Sequence, residues 1–241
     1  VLALSRAACL AAAVLLAAGP RLLVVDVDEP DRPVEVGAGD PSFGTIAAID
    51  VRGDLAATAT DWGVVVADVG ATAGPQYVAA YGTGAVDVAL ADEALFFLDE
   101  GLRLHACPAP IAAYSPDGPR SGFRQRCTGT LDTTVVRIAR QPGGVHVYGA
   151  DPAGRVLVVD VSDVSRPMAA GEWAAPGPVT DLVVSGTTLL AACEGAAADG
   201  GGVAAYDLTD PAAPVALGTL ALDLPAPASL AIDGDRLIVA T

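Results

Sequence analysis

The sequence predicts an all-β protein assembled from repeated four-stranded units, and three observations carry that expectation. After residue 20 no stretch sustains an apolar i, i+3, i+4 pattern over twelve residues without a Gly or Pro, so the helix signal is poor. In its place stand short runs of Val, Leu, Ile and Tyr bounded by Gly, Asp and Pro, the pattern of strands and tight turns. Those runs also resemble one another and return at related spacings, which points to an internal repeat. The composition agrees: 27 Gly, 18 Pro and 23 Asp against only six Glu make turn formers outweigh helix formers.

The clearest runs are Leu22 to Val27, Val64 to Val69, Val156 to Val161 and Val203 to Leu208. Each carries an Asp at its fifth or sixth position: Asp26, Asp68, Asp160 and Asp207. Seven residues after each comes a proline, at Pro33, Pro75, Pro167 and Pro214. Glycine follows eleven residues after three of the four, at Gly37, Gly171 and Gly218. The intervals between the Asp residues are 42, 92 and 47, so one further unit is hidden in the middle gap. Leu102 to Ala106 fills it with the alternation but without the Asp.

The upstream half of each unit is a hairpin. The five cases are Ala47–Val51 with Leu55–Thr60, Asp87–Leu90 with Ala94–Asp99, Val135–Ala139 with Val145–Gly149, Asp181–Val184 with Leu189–Cys193, and Ser229–Ile232 with Leu237–Thr241. Polar turns such as Arg52-Gly53-Asp54 and Ser185-Gly186-Thr187 join them. Four short strands per unit make one blade of a β-propeller, whose sheets stack radially and bury their faces against neighbours. The expected architecture is a single domain over 1–241 with about five complete blades and a partial sixth, and the half-built last blade reads as that of a fragment of a longer chain.

The string Leu22-Leu23-Val24-Val25-Asp26-Val27-Asp28-Glu29-Pro30-Asp31-Arg32-Pro33-Val34-Glu35-Val36-Gly37 resembles the LVIVD repeat of bacterial and archaeal propellers, as do Val156–Gly171 and Val203–Gly218. The resemblance covers nearly the whole chain and is specific for architecture. It implies an extracytoplasmic protein, secreted, periplasmic or at the cell surface, in a family whose activities are mostly unassigned. Departures are Val164 for the first Pro of one unit, Ala71 and Thr72 at the Asp-Pro of another, and a third unit without the motif.

The motif residues themselves read as structural. An Asp ending a strand accepts N–H bonds from the turn that follows, and the prolines fix φ and remove stray donors. The N-terminus supports two readings. Arg6 followed by an apolar stretch to Ala17-Ala18-Gly19 has the form of a signal peptide. A shift of 42 residues, however, places Leu4–Ala17 ungapped on Ile46–Ala59, so residues 1–18 are expected as first-blade strands, with Val14–Ala18 one of them. The run is too short to span a membrane.

Cys107 and Cys127 bracket the one long insertion, 108–126, rich in Pro, Ser, Gly and Arg. The expectation is a disulfide closing that loop; the other reading is two unpaired thiols. Cys9 and Cys193 fall in strands, where Cys acts as a small apolar residue. No C-x-x-C pair suggests a metal site, and no cofactor motif is present. His105 and His146 sit in strands 41 residues apart and read as sheet histidines rather than ligands. No nucleophile elbow, His-Glu-x-x-His helix or Walker loop occurs, and Gly200–Gly202 follows a strand, so it reads as loop.

Thirteen Arg and no Lys against 29 acids give a net charge of −16, which argues against a nucleic-acid partner. The function expected is therefore a non-enzymatic extracytoplasmic scaffold or binding module, a monomeric domain that engages a protein or polysaccharide through its loops. A hydrolase or lyase with carboxylates or a metal at the central funnel is the alternative. The contact residues expected are Tyr114, Arg120, Phe123, Arg124 and Arg126 in the insertion, which pair aromatic surface with guanidinium groups inside an acidic chain.

Overall fold

The computed structural model of the chain describes residues 9–10, 13–18, 21–26, 29, 31–32, 34–39, 44–70, 75–91, 93–108, 124–197, 200–211, 213–222, 227–233 and 236–240. Every regular element among them is a strand. The first sheet holds β1 (Cys9–Leu10), β2 (Ala13–Ala18), β3 (Arg21–Asp26) and β4 (Val34–Ala38), in that order. The second holds β5 (Ile46–Arg52), β6 (Leu55–Thr60), β7 (Gly63–Asp68) and β8 (Gln76–Tyr81). The third holds β9 (Ala85–Leu90), β10 (Ala94–Asp99), β11 (Arg103–Pro108) and, after β12 (Arg124–Gln125), β13 (Gly129–Asp132). The fourth is β14 (Arg137–Arg140), β15 (His146–Ala150), β16 (Arg155–Asp160) and β17 (Met168–Ala174). The fifth is β18 (Val179–Ser185), β19 (Thr188–Ala197), β20 (Gly200–Asp207) and β21 (Val215–Ala221). A two-stranded sixth pairs β22 (Ser229–Asp233) with β23 (Arg236–Ala240).

The chain divides into two compact units, Val1–Gly101 with His105–Thr128, and Leu102–Leu104 with Gly129–Thr241. Within the first, one apolar cluster joins the second and third sheets through Val64, Val66, Tyr81, Val88, Leu95 and Phe97. A smaller one joins the first and second sheets through Leu22, Val24, Ile49 and Val69. Within the second, Tyr148, Val156, Val158, Leu182, Leu189 and Tyr206 join the fourth and fifth sheets. Ala192, Val203 and Leu230 join the fifth to the sixth.

A sheet with neighbours on both faces cannot alternate apolar and polar residues along its middle strands. Strand β6, Leu-Ala-Ala-Thr-Ala-Thr, is buried along its whole length, so both its faces must be small. Its two hydroxyls find main-chain acceptors: Thr58 Oγ1 donates to Val65 O at 3.2 Å and Thr60 Oγ1 to Gly63 O at 2.8 Å. Strand β10, Ala-Leu-Phe-Phe-Leu-Asp, is buried through its first five residues. Outer strands meet water instead, and all seven residues of β21 are exposed.

The repeated Asp and the repeated Gly each have a local geometric job. At the end of the third strand, Oδ1 of Asp68, Asp160 and Asp207 accepts the N–H of Gly70, Ser162 and Thr209 at 3.0, 2.8 and 2.8 Å. Opposite, the fourth strand carries a β-bulge in the first, second, fourth and fifth sheets. Gly37, Gly171 and Gly218 occupy the bulged segment of β4, β17 and β21, and Ala79 takes that place in β8. Two departures from the sequence expectation stand out. Gly200–Gly202 is not loop but the start of β20, where it lies against the extended end of β19. The insertion is not loop throughout either, since Arg124–Gln125 forms a strand.

Candidate functional site

Both ends of the insertion are fastened inside the first unit. Cys107 and Cys127 are bonded, 20 residues apart in sequence. Cys107, next to last in β11, is fully buried in the cluster between the second and third sheets, with Cys127 packed against it. The Tyr81 hydroxyl, at the end of β8, donates to Pro108 O at 2.8 Å. Burial of that phenol pushes its pKa far above the ordinary tyrosine range. Strand β12 then pairs in parallel with β8, Arg124 opposite Ala80 and Gln125 opposite Tyr81. The insertion thus leaves the third sheet and returns along the outer edge of the second.

Of the expected contact residues, Arg124 lies in this edge strand and Arg126 follows it, exposed to water. Tyr114, Arg120 and Phe123 fall outside the described residues. The other singled-out positions serve local structure. His105 Nε2 sits 2.8 Å from Asp99 Oδ2, and its ring stacks on Phe97 with centroids 4.6 Å apart. His146 lies across the ladder from Asp160. The Cys193 thiol is buried, donates to Ala191 O at 3.5 Å and has its pKa pushed up to about 11 by that burial. Arg52-Gly53-Asp54 forms the β5–β6 turn, with Gly53 at φ 54°.

Carboxylates in the first strands of the sheets were not singled out in the sequence, and three are prominent. Asp50 Oδ2 accepts the Leu90 N–H of the next first strand at 2.7 Å. Asp181, 3% exposed, accepts Leu230 N–H at 2.8 Å and the Ser229 hydroxyl at 3.0 Å through Oδ2, both from the following sheet. Asp87 is equally buried and accepts its neighbour's N–H from Val88 at 3.0 Å. Arg137 plays the reverse part, donating from Nε to Thr180 O at 3.1 Å. Asp50, Arg137 and Asp181 each tie one first strand to the next. Asp87, Arg137 and Asp181 share one place in their hairpins, opposite the fifth residue of the second strand, while Asp50 lies two places nearer its turn; the arginine and the shifted aspartate break the repeat that the sequence would otherwise show.

A second polar knot surrounds Arg155. Asp151 Oδ1 accepts the N–H of Ala153 and Arg155, and Oδ2 takes Arg155 Nε at 3.1 Å. The same guanidinium reaches Glu172 Oε2 at 3.1 Å and the Thr134 hydroxyl. Burial disfavours the Asp151 charge, but the donors from Arg155 and Ala153 outweigh it and hold the carboxyl below its usual range.

No protein-family model and no curated protein matches the chain. Solved structures do. A candidate 6-phosphogluconolactonase from Bacteroides fragilis superposes with a TM-score of 0.69 at 13% identity, over 94% of this chain and 73% of that one. Sqt1 of Chaetomium thermophilum, solved bound to the N-terminus of ribosomal protein L10, superposes with a TM-score of 0.65 at 15% identity. That match covers 94% of this chain, which spans 64% of the length of Sqt1. At such identity the likeness speaks to architecture alone, and together with the repeated antiparallel sheets it makes this chain a β-propeller.

Proposed function

We propose that the chain is a non-enzymatic binding module of the LVIVD-repeat type, working outside the cytoplasm and engaging a protein or polysaccharide through the Cys107–Cys127 insertion. The observation that carries the reading is the fastening of that insertion. A disulfide, a buried tyrosine hydrogen bond and a short parallel strand hold its two ends. Bound ends limit the entropy lost when a loop meets a partner. The bond also fits an oxidising compartment. No helix among the described residues is long and apolar enough to cross a membrane. Tyr114, Arg120, Phe123, Arg124 and Arg126 supply the aromatic and guanidinium groups for an acidic partner.

Replacing Arg120, Arg124 and Arg126 together by Ala tests the reading against an immobilised acidic polysaccharide. Retention should be lost, most clearly at low salt, with thermal stability nearly unchanged. Unchanged retention, or collapse of stability, would make the insertion structural. The hydrolase reading draws on the similarity to the candidate lactonase. It has less support because Asp50 and Asp181 are engaged by main-chain donors. Turnover of a sugar lactone by the purified chain would establish it.

A further inference from the structure

We propose that the β6–β7 and β10–β11 turns of the first unit form a second, independent docking surface for a cationic polypeptide segment, with the Trp62 indole as platform and Asp61 and Glu100 as charge partners. Trp62 stands at the β6–β7 turn and is 68% exposed. A large indole left in water at a turn tip contributes nothing to the fold's apolar core, and Trp is the side chain most enriched where binding energy concentrates.

The turn is fixed before any partner arrives. Thr60 Oγ1 accepts the Trp62 N–H at 3.2 Å while donating to Gly63 O at 2.8 Å. The indole lies over Gly44, which has φ +84°; a Cβ there would sit 2.8 Å from Trp62 Cδ1 and overlap the Asp61 carboxylate. Asp61 is aimed by the Thr45 N–H, 3.0 Å from Oδ1. The two turns meet at Gly84, where a Cβ would lie 3.0 Å from Asp61 O and 2.9 Å from Glu100 Oε1. Asp61 and Glu100 are both exposed.

An aromatic face flanked by carboxylates attracts Arg and Lys through cation–π and charge-assisted contacts. The chain's −16 charge draws such a segment in from a distance. An open ring and carboxylates on neighbouring turns present a surface rather than an enclosure, which suits an extended segment.

The test is a titration of the whole chain with a dye-labelled oligoarginine peptide, read by the fluorescence anisotropy of the peptide so that every variant gives the same signal. Saturable binding is expected, weakened by about tenfold in Trp62→Ala and largely kept in Trp62→Phe. Asp61→Asn retains the acceptor for Thr45 and removes the charge; it and Glu100→Gln should each weaken binding by about threefold, with a shallower salt dependence. Equal affinity of wild type and Trp62→Ala, with circular dichroism unchanged, would reduce the attraction to net charge and overturn the proposal. Self-association of the chain that Trp62→Ala abolishes would give the surface to a second copy and overturn it equally.

Discussion

Asp181 places a carboxylate where two sheets meet, one oxygen bonded within its own strand and the other reaching into the next. Oδ1 accepts Leu182 N–H at 2.9 Å, and Oδ2 accepts from Leu230 and Ser229. Removing it strands a buried main-chain donor, so Asp181→Ala should cost about 2–3 kcal/mol in urea unfolding. The pH dependence follows from other carboxylates. The Ser162 N–H and hydroxyl hold Asp160 below the usual carboxylate range, with His146 adding a smaller pull, and Asp151 is held low beside Arg155. A group whose folded pKa is depressed stabilises the fold above its unfolded value, about 3.9, and loses that contribution as pH falls through the folded one. Thermal stability should therefore be flat between pH 5 and 7 on this account and fall below about pH 4. Asp160→Asn, still an acceptor, should make the acid limb shallower.

Among the elements, β12 shows how two residues can change the character of a sheet. It covers the outer edge of β8, which would otherwise offer unpaired main-chain groups to water or to another chain. Cys127→Ser, or reduction, opens the roughly twenty-residue loop and should lower stability by about 3 kcal/mol in the chain-entropy model. Hydrogen exchange at Arg124 and Gln125 should rise at the same time. Nothing in the sequence marks this strand, because Arg-Gln has neither an apolar run nor alternation and its pairing is set by tertiary closure. The hairpins were legible for the opposite reason. Leu55–Thr60 and Ala94–Asp99 are bounded by polar turns, and their structural limits match those read from sequence. The first-strand acids are hidden in the sequence because a lone aspartate there reads as a strand-flanking polar residue until the fold buries it, and for Asp181 until the following sheet supplies its donors. Trp62 escaped because an aromatic at a hairpin end reads equally as buried or exposed.

For the whole molecule, the repeat dictates strand-only structure, and far-UV circular dichroism should show well under a fifth of the chain helical. Function is less legible at this scale because a propeller's blades are specified by packing, whereas partners are met by insertions and turn tips that the repeat leaves free. The chain has two tryptophans, and they fall one in each compact unit. Trp173 packs among Tyr148 and Tyr206, with ring centroids 6.2 and 5.4 Å away. Trp62 already faces water. Unfolding thus transfers only one of the two indoles from an apolar to an aqueous environment. The emission maximum should shift to longer wavelength through Trp173 alone, and Trp173→Phe should leave a nearly silent spectrum across the transition. A melting curve recorded by that signal reports the environment of the fourth and fifth sheets, so the first unit needs a different probe, such as hydrogen exchange at the amides of its own strands.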